Sequence, residues 1–102
     1  MPQIFLSQPM QRTRITINNR LGVHARVAYG LSRLGESFNS RVSIIIENGD
    51  GKRFGNGKDI MSILALGILP DSEIVIETEG EDEDKAMKCL LEYMELVNVD
   101  KN

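Results

Sequence analysis

The sequence predicts an α+β domain, an open-faced β-sandwich with three helices on one face of a four-stranded antiparallel sheet, in the order β-α-β-β-α-β-α. Three observations carry this prediction. Short β-branched runs recur as "TRITIN", "RVSIII" and "SEIVIETEG". Apolar residues at helical spacing follow each strand region, and a glycine-rich stretch after the second run reads as the turn of a hairpin.

Each element has its own local reason. From Thr13 to Asn18 the residues alternate so that Ile15 and Ile17 share one face, the period-two mark of a half-buried strand. From Val27 to Phe38, Ala28, Leu31, Leu34 and Phe38 recur at three- and four-residue spacing, which predicts an amphipathic helix with His24 and Ala25 at its N-terminus. Gly30 and Gly35 each cost that helix about 1 kcal/mol relative to alanine, so packing must hold it. Arg41 to Ile46 is the second strand. The following "ENGDGKRFGNGK" has four glycines in twelve residues and predicts a long hairpin tip with a short third strand around Lys52 to Phe54. Asp59 is placed to cap a short helix from Ile60 to Leu66, which Gly67 ends and Pro70 keeps ended. In the fourth strand Ile74 and Ile76 face one way and Val75 the other. Acidic "EGEDEDK", read as a solvated helix start, opens the last helix where negative charge suits the dipole, and Ala86, Leu90, Tyr93, Met94 and Val97 form its apolar stripe.

Composition narrows the class. A chain of 102 residues with 41% hydrophobic and 26% charged residues is one ordinary globular domain. No apolar run approaches the roughly 18 residues that span a bilayer, and the N-terminus lacks a signal peptide's pattern, so no membrane insertion and a cytoplasmic location are expected. Cys89 and His24 are the only residues of their kinds, too few for an intrachain disulfide or a zinc site of the usual ligand count, so neither metal nor cofactor is expected. Cys89 reads as filler at the edge of the last helix's stripe. A net charge of −3 argues against nucleic acid as a partner.

The stretch "NRLGVHARVAYGLSRLG" holds the one constellation with chemical potential. A helix N-terminus offers unpaired backbone N–H groups and the positive end of a dipole, together a ready anion site. With His24 at that start, its ring could act as a nucleophile toward a phosphoryl group, which the amides of Ala25 and Arg26 would hold. The Arg26 guanidinium matches phosphate oxygens in a fork, and Gly22 lets the backbone turn sharply and approach a neighbour closely. On these residues alone a plainer alternative stays open: His24 as a weak helix-start residue and Arg26 as a solvated charge.

The run "LGVHARVA", followed by "FNS", "GKDIMSILALG" and "EIVIETEGEDEDKAMKCL", resembles the HPr family, the histidine phosphocarriers of the bacterial phosphoenolpyruvate-dependent sugar phosphotransferase system. The likeness covers roughly Met10 to Met94, in the element order given above. It implies an HPr-like domain over 10–102 preceded by an extension over 1–9. It implies also that His24 is phosphorylated on Nδ1 by enzyme I, that Arg26 assists, and that the phosphoryl group passes to the A domains of sugar permeases. Such a carrier is no enzyme. It is expected to be monomeric and to need a shallow apolar docking face, for which Val27, Tyr29, Ile60, Met61, Leu64 and Ile68 are the candidates. Ile60 and Leu64 have core packing as a competing role, whereas Met61 suits docking because a thioether adapts to different partners.

Three departures from the family pattern matter. Val27 stands where many relatives have a proline that preforms the first helical turn. About four extra residues lengthen the hairpin, read as a solvated loop of little cost. Asp59 occupies a position where many relatives carry a regulatory phosphorylatable serine, and it reads either as an N-cap or as a fixed mimic of that modified serine. The second function class is therefore a regulatory HPr-like binding module, serving carbon or nitrogen control by docking to regulatory proteins.

Overall fold

The computed structural model describes residues 10–99. The extension over 1–9 lies outside the described residues. Seven elements follow in order: β1 (Gln11–Thr16), α1 (Ala25–Glu36), β2 (Arg41–Asn48), β3 (Gly51–Asn56), α2 (Ile60–Ala65), β4 (Glu73–Glu79) and α3 (Glu83–Val99). The sheet order is β1-β4-β2-β3 and every neighbouring pair is antiparallel. β1 and β2 are thus parallel with β4 between them, and α1 crosses from one to the other. This is the split arrangement expected from the sequence.

The period-two pattern works out as a two-faced sheet. Val42, Ile44 and Ile46 of β2 and Ile74 and Ile76 of β4 face the helices and are buried with Val27, Ala28 and Leu31 of α1, Ile63 of α2, and Met87, Leu90, Met94 and Val97 of α3. Burying each such aliphatic side chain stabilises the fold by about 1.5–3 kcal/mol before entropy is counted. Ile15 packs against this core and Ile17 lies within it, although β1 ends at Thr16. Ile17 is held beyond the strand by its own N–H to the Ser72 carbonyl at 2.8 Å and by the Asp71 N–H to its carbonyl at 2.7 Å.

The hairpin corrects the sequence reading. Asn48 pairs with Gly51, leaving Gly49 and Asp50 as a two-residue turn, so most of the glycine-rich stretch is strand. The glycines answer to close approach. A Cβ on Gly55 would lie 2.8 Å from the Leu66 side chain, and one on Gly57 would lie 2.4 Å from that of Val42. α1 likewise begins and ends two residues earlier than expected, with Ser37 as its C-cap. The acidic start of α3 is only partly solvated: the Asp82 carboxylate accepts from the N–H groups of Asn39 and Ser40, both at 2.9 Å, and Glu83 accepts from the Gly80 N–H.

Candidate functional site

His24 is the N-cap of α1, with extended backbone (φ −88°, ψ −176°), and its side chain makes no capping hydrogen bond. Its carbonyl starts the helix by accepting from the Ala28 N–H at 2.9 Å. The amides of Ala25 and Arg26 precede the first residue able to donate within the helix, so they face outward from the helix end as donors. The imidazole is half-buried. Its Nε2 is shut off from solvent with no hydrogen-bond partner.

The loop leading to His24 is fixed from three directions. Asn19 is buried, its Oδ1 accepts from the Leu21 N–H at 2.9 Å, and its Nδ2 donates to the Val97 carbonyl at 3.2 Å. On the other side the Val23 N–H donates to the Ile68 carbonyl at 3.0 Å, which ties the loop to the segment between α2 and β4. Gly22 sits at φ +68°, and a Cβ there would lie 2.4 Å from the same Ile68 oxygen. Only glycine meets both demands at low cost. Asn98 completes the clasp by accepting from the Asn18 N–H and donating to the Thr16 carbonyl.

Arg26 is exposed and stands on the rim of a depression of about 170 Å³, lined also by Asn19, Val27, Tyr93, Leu96 and Val97. Burial pushes the Tyr93 phenol above its ordinary value, and the positive charge of Arg26 opposes that shift. Two of the expected docking residues are corrected by their burial. Val27 is 3% exposed and Ile68 4%; both face the core, because the pitch of α1 and the tie from Val23 to Ile68 turn them inward. Ile60 and Leu64 are half-buried and pack against the core. Tyr29, at 56%, and Met61, at 68%, are exposed. The Arg33 guanidinium lies 6.0 Å above the Tyr29 ring. Leu21 and Leu69, which sequence reasoning missed, are also exposed and flank Gly22. Asp59 caps α2, accepting from the N–H groups of Met61 at 3.0 Å and Ser62 at 3.5 Å. The Ser62 hydroxyl is engaged as acceptor of the Asn56 N–H at 2.8 Å.

A family model described as "PTS HPr component phosphorylation site" matches residues 11–95, nearly all of the described chain. The chain belongs to the HPr family. Phosphocarrier protein HPr of Mycoplasma capricolum is 32% identical over 85 residues, covering 83% of this chain and 91% of that one. HPr of Cupriavidus necator is 40% identical over 76 residues, covering 74% and 81%. Among solved structures, a Mycoplasma histidine-containing phosphocarrier protein superposes with a TM-score of 0.80 at 29% identity, covering 90% of this chain and all of that one. The order of elements and the four-stranded antiparallel sheet are those of HPr structures. Among the described residues no helix is long and apolar enough to cross a membrane, and no cluster of three His, Cys, Asp or Glu residues is arranged to hold a metal.

Proposed function

We propose that this HPr-family protein is a phosphocarrier whose His24 takes a phosphoryl group from phosphorylated enzyme I and hands it to permease A domains. In the accepting step the Nδ1 lone pair forms a bond to phosphorus, and the bond to enzyme I breaks with its electron pair leaving on enzyme I. The observation that carries the reading is the uncapped start of α1 beside the ring: the amides of Ala25 and Arg26 are donors awaiting an anion, and the positive end of the helix dipole favours it. The enclosed Nε2 supports Nδ1 as the reacting atom, since a phosphoryl group needs open approach. Arg26 supplies an exposed charge at the same helix end. The protein acts as a cytoplasmic monomer that its partners phosphorylate and dephosphorylate, with no turnover of its own. Leu21, Tyr29, Met61 and Leu69 form the apolar docking face, and Val27 and Ile68 support it from beneath.

The test is to mix the protein with phosphoenolpyruvate and enzyme I and to measure acid-labile, base-stable phosphate by intact mass. One phosphate per chain is expected on wild type and none on His24→Ala. Absence of label on wild type while enzyme I is itself phosphorylated overturns the reading. Arg26→Ala is expected to slow transfer with unchanged folding; an equal rate removes its assigned role.

A further inference from the structure

We infer that Tyr93 of α3 is a positioning residue for phosphoryl transfer at His24, acting on the first turn of α1 from behind through a notch made by Gly30; the inference rests on the carrier reading above. Three observations meet at this side chain. The Tyr93 hydroxyl donates to the Val27 carbonyl at 3.3 Å. A Cβ on Gly30 would lie 2.0 Å from that hydroxyl oxygen and 2.4 Å from the ring carbon bearing it, so the phenol occupies space that only a glycine leaves. The same ring lines the depression on whose rim Arg26 stands.

The contact reaches the site through one peptide group. The Val27 carbonyl and the Ala28 N–H belong to the same amide, and that N–H donates to the His24 carbonyl at 2.9 Å. Donation to the carbonyl end of an amide strengthens donation from its N–H end, so the phenol tightens the bond that fixes the His24 backbone. At 3.3 Å the hydroxyl bond is long, and the seated ring carries the rest of the restraint by wedging α1 against α3. Val27 does not restrain its own φ as a proline would, so the turn presenting the Ala25 and Arg26 amides depends on such a brace. The phenol is protonated at neutral pH and so able to donate. A glycine in mid-helix is otherwise unfavourable, and the notch gives Gly30 a use.

Tyr93→Phe keeps the ring in its notch and removes the hydroxyl alone. Hydrogen exchange of the Ala28 amide, read by NMR on the unphosphorylated protein, is expected to quicken about threefold to tenfold, the span of one weak hydrogen bond. With enzyme I, kcat for phosphoryl uptake is expected to fall within the same about threefold to tenfold range while KM for this protein stays unchanged. A purely structural loss would move the urea midpoint without separating kcat from KM. Gly30→Ala, which expels the phenol, is expected to reproduce both changes. Wild-type values for Ala28 exchange and kcat in Tyr93→Phe overturn the inference. Failure of enzyme I to label even wild type removes the carrier reading and the transfer role together, whereas the exchange arm still reports whether Tyr93 braces the turn.

Discussion

At Gly22 one residue serves two constraints that a side chain cannot meet together. Its φ of +68° is the left-handed region, costing an L-residue about 1–2 kcal/mol, and the Ile68 oxygen stands 2.4 Å from where a Cβ would go. Gly22→Ala is expected to lose about 2 kcal/mol or more in urea denaturation and to slow phosphorylation of His24, because the loop that delivers the imidazole must shift. A stability within about 0.5 kcal/mol of wild type would show that the loop relaxes without consequence. At this scale the place of His24, Arg26 and Gly22 at the start of α1 was legible in the sequence, whereas the residues alone left the role of His24 open between a reactive group and a plain helix-start residue, and only the family resemblance favoured the first. Whether Val27 and Ile68 face in or out was not legible: that depends on the angle at which α1 lies on the sheet and on a backbone bond between distant loops. The Tyr93 contact with Gly30 joins two helices far apart in the chain, and its only local trace was a glycine in a helical pattern.

Among the elements, α2 is the one whose existence most depends on its cap. Six residues close too few intrahelical bonds to be stable alone, and the Asp59 carboxylate satisfies two of the first-turn donors. Asp59→Ala is expected to lower stability by about 1 kcal/mol, read as a lower urea midpoint with unchanged m, whereas Asp59→Ser, which keeps a capping oxygen, should lose only a few tenths of that. An unchanged midpoint in Asp59→Ala would leave the cap without energetic weight and return the charge itself to consideration. The element order and all three helices followed from periodicity and end signals. β3 followed poorly, because Gly51 and Gly55 read as turn residues when Gly55 in fact admits Leu66, the C-cap of α2, against the strand. The spacing overruns the end of α1 because Phe38 continues the apolar pattern into a segment that already turns at Ser37.

Across the whole molecule, the face of the sheet opposite the helices is roofed by charge. Ile45 and Val75 point to that face and are each only 1% exposed. β4 lies between β1 and β2, so the bonds from Arg12 (3.4 Å) and Arg14 (3.0 Å) to Glu47 span it, and the register puts them on the same face as this apolar pair. Arg12 also reaches Glu77, and Lys52 reaches Glu47 at 3.3 Å from the opposite edge. The Arg14 hydrogen bond, then that of Lys52, hold the Glu47 carboxyl below its ordinary value of 4.5. Asp82, bonded first by the Ser40 hydroxyl and then by the Asn39 amide, is likewise held below 3.8. A carboxyl whose folded pKa is depressed binds fewer protons folded than unfolded, so its stabilisation is complete above the ordinary value and is lost as pH falls through the folded one. Stability is therefore expected to hold between pH 7 and about 5.5 and to decline below about 4.5. Glu47→Gln should make that acid limb shallower without abolishing it, since the Asp82 carboxyl is depressed as well and its contribution remains. Added salt should flatten the limb too, because exposed pairs are screened. Urea midpoints measured from pH 7 to 3 decide the matter: parallel curves for wild type and Glu47→Gln would mean that the charges over Val75 and Ile45 are cover alone and contribute no pH-dependent stability.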